Sequence, residues 1–98
     1  MTEPTARYDA IADAARREDL QALPTPSLII LGPVVDANIA HLIELVGTTA
    51  RARPHIKTSR TPWAIDRLRA AGIRRVKAAT HHEARLALEH GMADVLLA

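Results

Sequence analysis

The chain contains no cysteine and no phenylalanine. Without cysteine there is no disulfide framework and no thiolate chemistry. Tyr8 and Trp63 are the aromatic residues, so a core must be assembled from Leu, Ile, Val and Ala. A nucleic-acid surface would need clustered cations with stacking rings between them. The net charge is +2 and the arginines are spread along the chain, so nucleic acid is discounted as a partner. Lysine is also scarce: of 13 cationic residues, Lys57 and Lys77 are the lysines and all the others are Arg. No apolar run approaches the ~20 residues that a membrane span requires. Met1-Thr2-Glu3-Pro4 lacks the charged-then-apolar order of a secretory leader, which makes the cytoplasm the expected compartment.

What is present reads as a globular α/β chain. The 98 residues fit one small domain or a piece of a larger one. Apolar and charged fractions of 48% and 24% are ordinary for a folded protein, which excludes disorder throughout. Thr5–Leu20 is rich in Ala and charge, with Tyr8, Ile11 and Ala15 spaced four apart, and predicts a surface helix. Leu23-Pro24-Thr25-Pro26 ends it. Ser27–Leu31 is a short continuous apolar run, as expected of a strand buried on both faces, and Gly32-Pro33 closes it.

From Val34 the period becomes helical. Val35, Ile39, Leu42, Ile43 and Val46 share a face, and Gly47 supplies a stop. Thr48–Arg51 is a return loop, and Ala52–Thr58 reads as a second strand despite Pro54. Thr61-Pro62 combines an N-cap hydroxyl with proline at the first helical position, opening a helix that ends at Gly72. Ile73–Ala79 predicts a third strand. Thr80-His81-His82-Glu83 is a capping-box pattern that opens a helix running to Gly91, and Asp94–Ala98 predicts a fourth strand.

Strands alternating with helices imply a parallel sheet with right-handed crossovers. A (β/α)8 barrel needs ~250 residues, so these units correspond to the N-terminal part of one, with about four strands and three crossover helices. Residues 1–22 then form a helical extension, and residues 23–98 a partial barrel truncated after its fourth strand. In such sheets functional groups gather at the C-terminal ends of strands. Lys57 and Thr58 fall at the end of the second strand and Thr80 at the end of the third. Alternation puts His55 and Lys57 on one side of their strand. Arginine stays protonated, whereas a desolvated lysine can lose its proton and condense with a carbonyl. Lys57 is therefore the candidate for covalent chemistry. Arg53 is open to pairing with a carboxylate from outside the chain or to plain solvation. His81 and His82 are adjacent and point apart on a helix, so no metal set is expected.

Several stretches resemble one family. They are Pro24-Thr25-Pro26-Ser27-Leu28-Ile29-Ile30, Asn38-Ile39, Arg53-Pro54-His55-Ile56-Lys57-Thr58, Ala70-Ala71-Gly72, Lys77-Ala78-Ala79-Thr80 and Glu83-Ala84. Together they look like the N-terminal part of D-threonine aldolase and D-serine dehydratase-like enzymes, with the Pro-His-x-Lys-Thr element the most specific. The resemblance runs from about Leu23 to Ala98. It implies an alanine-racemase-like barrel in which Lys57 forms an aldimine with pyridoxal 5'-phosphate. Beside it, His55 is open to contacting the cofactor, holding Lys57 or satisfying a neighbouring backbone group. Thr58 and Thr80 are open to bonding near the cofactor or to capping, and the capping box favours the structural role for Thr80. The implied substrate is a D-amino acid undergoing Cα–Cβ cleavage or loss of a β-hydroxyl. It further implies a homodimeric parent, with any divalent metal held by a C-terminal domain outside this chain. A non-catalytic pyridoxal-phosphate carrier with the same barrel type is the alternative of a different class. The chain departs from the family pattern at Leu31-Gly32-Pro33, where an acidic residue is usual, and at Ser59-Arg60, where His-Lys is common.

Overall fold

The computed structural model describes residues 4–98 and divides into two compact units, one ending at Asn38 and one spanning Ile39–Ala98. The leader reading of Met1–Glu3, and the place of the Tyr8 side chain on the first helical face, lie outside what is described.

In the first unit, α1 covers Pro4–Ala15 and α2 covers Glu18–Gln21. The single helix expected over Thr5–Leu20 is thus broken at Arg16-Arg17. Arg17 adopts an extended backbone (φ −69°, ψ 131°) at the start of α2, and its guanidinium makes a two-point contact with Asp19 at 2.7 and 3.1 Å. Glu18 and Asp19 fall in the first turn of α2, where carboxylates favour a new helix N-terminus. The expected strand at Ser27–Leu31 is not formed; the segment has no regular secondary structure. Leu28, Ile29 and Ile30 are 76%, 45% and 39% exposed. An apolar run becomes a buried strand only when neighbours take its hydrogen bonds on both edges. Gly32-Pro33 does not close that run but opens the next helix, α3, Gly32–Val46. Proline suits a first helical turn, because its missing N–H would be unsatisfied there anyway.

The second unit contains the end of α3, a 3₁₀ turn at Thr49–Arg51, α4 (Pro62–Ala70), β1 (Arg75–Ala78), α5 (His81–Glu89) and β2 (Asp94–Leu97). Gly47, Gly72 and Gly91 have φ of 90°, 97° and 89°. In this left-handed region glycine ends each helix without a Cβ penalty. Strands β1 and β2 pair in parallel with Arg75 opposite Asp94 and Ala78 opposite Leu97. Upstream, His55 forms a parallel bridge with Lys77 through Ile56 N–H to Lys77 O at 3.0 Å and Lys77 N–H to Pro54 O at 2.9 Å.

The observed architecture is therefore mixed α/β with a small parallel sheet. The four strands expected are reduced to two strands and a bridge among the described residues. The second strand shortens for a local reason. Pro54 has no N–H to give to a ladder, and the chain turns at Lys57.

Ile56, Ile65, Ile73 and Val76 are fully buried, joined in the core by Ala52, Leu68, Ala78, Ala87 and Met92. These aliphatic contacts replace the aromatic packing that the composition excludes. Among the described residues no helix is long and apolar enough to cross a membrane.

Candidate functional site

The segment Arg53–Ile56 enters the sheet beside β1, and its last residue, Ile56, is fully buried. Lys57, Thr58 and Ser59 then make a turn, with Lys57 and Thr58 exposed. Arg60 closes the turn by donating its N–H to Ile56 O at 3.0 Å, and Ser59 Oγ donates to the same carbonyl at 3.4 Å. Thr61 follows at once as the N-cap of α4, its hydroxyl accepting from Ala64 N–H at 3.2 Å. Lys57 is thus the first residue past a buried anchor, at the C-terminal end of a segment that runs parallel to β1.

His55 sits two residues before Lys57 and faces the same stretch of backbone. Its Nδ1 accepts the Lys57 N–H at 3.2 Å. A nitrogen that accepts carries no proton, so this bond uses Nδ1 as the acceptor of the ring. His55 therefore holds the Lys57 backbone.

Thr80 lies at the end of β1, where it caps α5. Its hydroxyl accepts from Glu83 N–H at 3.1 Å and donates to Glu83 Oε2 at 3.2 Å. Glu83 Oε1 accepts from Ala79 N–H at 3.1 Å. The Thr80 half of the capping box predicted by Thr80-x-x-Glu83 is formed, while the return bonds of Glu83 go to the preceding Ala79 N–H and the Thr80 hydroxyl.

One contact joins the two loops. The guanidinium of Arg60 lies with Nε 3.5 Å from Glu83 Oε2, and the Glu83 side chain is only 3% exposed. Sequence reasoning identified Glu83 as a capping residue and passed over Arg60. No local pattern links Arg60 to Glu83, which lie 23 positions apart.

Arg53 is at the opposite, N-terminal edge. The candidate carboxylate from outside the chain is replaced by one within it, since Arg53 Nη2 lies 2.9 Å from Asp94 Oδ2. Arg53 Nη1 also donates to Val76 O at 3.0 Å. The bond from Arg53 holds the Asp94 carboxyl below the usual range against a smaller opposing effect of burial, and the charges of Arg53 and Arg75 add to the lowering. Arg53 is raised by the same partner. This cluster fastens β2 and β1 to the incoming segment.

The histidines of α5 do not converge. His81 and His82 are exposed, while His90 Nδ1 lies 3.0 Å from Asp66 Oδ1 and ties α5 to α4. Among the described residues no group of three His, Asp or Glu side chains is placed to hold a metal ion.

Pyridoxal phosphate needs an amine for attachment, donors for its phosphate and a partner for its ring nitrogen. Lys57 supplies the amine, but it is exposed, where condensation with a carbonyl calls for a desolvated one. The Thr80 hydroxyl is engaged on both sides by Glu83, and His55 Nδ1 is engaged by the backbone, so neither offers those atoms to a phosphate. Thr58 is exposed beside Lys57. The fit is to the attachment point alone. Comparison with protein-family models, with curated proteins and with solved structures returned no match.

Proposed function

We propose that this chain supplies the lysine-bearing N-terminal part of a pyridoxal-phosphate-dependent D-amino-acid lyase, D-threonine aldolase-like in its reaction. Lys57 is the attachment residue. The observation that carries this reading is the position of Lys57, exposed on a turn directly after the buried Ile56. That is the strand-end location where parallel α/β proteins hold reactive groups. The Pro54-His55-Ile56-Lys57-Thr58 motif adds the chemical identity. On this reading the α/β units are the opening portion of a (β/α)8 barrel, and the parent is a cytoplasmic homodimer acting on a small D-amino acid. A divalent metal, if the parent uses one, belongs to its C-terminal domain.

Bound pyridoxal phosphate supplies the electron sink for cleaving the Cα–Cβ bond of a D-3-hydroxy amino acid, or for expelling the β-hydroxyl in the D-serine dehydratase alternative. The chain's own residues prepare the amine. Ile56 fixes where the turn begins and His55 Nδ1 accepts the Lys57 N–H, which sets the Lys57 backbone. Lys57 is exposed in this chain, so the rest of the barrel would have to desolvate Nζ before it could condense with a carbonyl with loss of water. With the cofactor bound, Nζ would be the group of this chain placed to move a proton at the substrate Cα.

A non-catalytic pyridoxal-phosphate binder is the second reading. The internal engagement of Thr80 and His55 Nδ1 favours it, because both leave the amine as the main contact. Borohydride reduction in the presence of pyridoxal phosphate, followed by peptide mass mapping, tests the shared core of the two readings. A pyridoxyl mark is expected on Lys57 and lost in Lys57→Ala; a wild-type chain marked only elsewhere would overturn both. D-threonine turnover by a parent barrel carrying this segment separates lyase from carrier.

A further inference from the structure

We infer that Arg60 and Glu83 are positioning residues for Lys57, forming a latch that sets the shape of the lysine turn from the loop after β1. Arg60 has φ 45° and is the non-glycine residue with positive φ among those described. A side-chain-bearing residue enters this left-handed region at a cost, so it persists where its surroundings over-determine it. Two contacts do so here. The Arg60 N–H bonds Ile56 O at 3.0 Å, which ties the turn to the core, and the guanidinium meets the buried Glu83 carboxylate at 3.5 Å.

The pairing also serves Glu83. A carboxyl side chain taken out of water is costly to bury unless its oxygens are bonded and paired. Ala79 N–H and the Thr80 hydroxyl provide the bonds, and Arg60 provides the charge. One carboxylate therefore caps α5 and holds the end of the turn that carries Lys57. Lys57, Thr58 and Ser59 are suspended between Ile56 and Arg60, both fixed. The effect on chemistry rests on Lys57 being the attachment residue; the effect on the turn does not.

Arg60→Gly separates positioning from simple stability. It removes the latch and at the same time removes the backbone strain, so thermal unfolding stays near that of the wild type. Hydrogen exchange at the amides of residues 57–60 is nonetheless expected to speed up by about tenfold, as in a segment released to open locally. Glu83→Gln, which keeps an oxygen for Ala79 N–H but loses the charge, is expected to speed the same amides, and Arg60→Lys to restore their protection.

The second readout is the ratio of pyridoxyl marks on Lys57 and Lys77, the latter on β1 serving as the internal reference. This ratio is expected to fall severalfold in Arg60→Gly and to recover in Arg60→Lys. Unchanged exchange at 57–60 in both Arg60→Gly and Glu83→Gln overturns the latch. Faster exchange with an unchanged labelling ratio overturns the positioning role and leaves a structural ion pair. A wild-type chain that marks Lys57 no more than Lys77 counts against the attachment reading, and the exchange measurement still decides the latch.

Discussion

Asp94 links three stretches of chain through one carboxylate: it opens β2, binds Arg53 at 2.9 Å and lies 4.0 Å from Arg75. Its carboxyl is held below the ordinary value in the folded chain. A lowered native value means that the unfolded state takes up the proton first as pH falls. The stabilisation is therefore complete above the ordinary carboxylate range and disappears as pH drops through about 4 and below. Urea midpoints measured from pH 6 down to pH 2 should show this loss in the wild type. Asp94→Asn should flatten that part of the curve. A variant curve parallel to the wild type would assign the acid sensitivity elsewhere. The pair joins residues 41 positions apart, and no local pattern announces it. Thr61 and Thr80 were legible because a cap is written within four residues. Replacing Thr61 by Ala removes the acceptor for Ala64 N–H and should cost about 1 kcal/mol in denaturant unfolding.

Helices and strands differ in how much of themselves they carry locally. Helix α4 begins at Pro62 and ends before Gly72, and α5 begins after Thr80 and ends before Gly91. In both, the start and stop residues act on their own backbone, so the sequence reading and the structure coincide. The break between α1 and α2 was hidden because Arg16-Arg17 carries neither proline nor glycine, and the helix divides on the Arg17–Asp19 contact. A strand's hydrogen bonds lie in another segment. Ser27–Leu31 and Ala52–Ile56 both present apolar residues, yet only the second reaches the sheet, and it does so through one bridge. Burial should thus separate two otherwise similar substitutions. Ile56→Ala empties a fully buried position and is expected to cost about 2–5 kcal/mol. Leu28→Ala changes a side chain that is 76% exposed and should fall within about 0.5 kcal/mol of wild type. Chemical denaturation of each variant measures the difference; equal losses would contradict the placement of the core.

At the scale of the molecule, the unit spanning Ile39–Ala98 contains every residue of the aliphatic core and the whole candidate site. Lys57 lies at one end of its parallel elements and the Arg53–Asp94 pair, which fastens them, at the other. The placement of Lys57 just past an element parallel to β1 was readable from the alternation of elements. Its support was not, because Arg60 and Glu83 meet only after the chain folds back between β1 and α5. On the proposed reading, an attachment lysine without a phosphate cradle or a ring-nitrogen partner does not complete a catalytic site. The 98-residue chain should therefore release no glycine from D-threonine, as followed by amino-acid analysis; measurable release would show that the described residues suffice. The most direct measurement is the reductive trapping of pyridoxal phosphate with residue-level mass mapping. The expected result is a pyridoxyl group on Lys57 in preference to Lys77, absent from Lys57→Ala. Equal marking of both lysines, or none at Lys57, would contradict the assignment of Lys57 as the reactive residue.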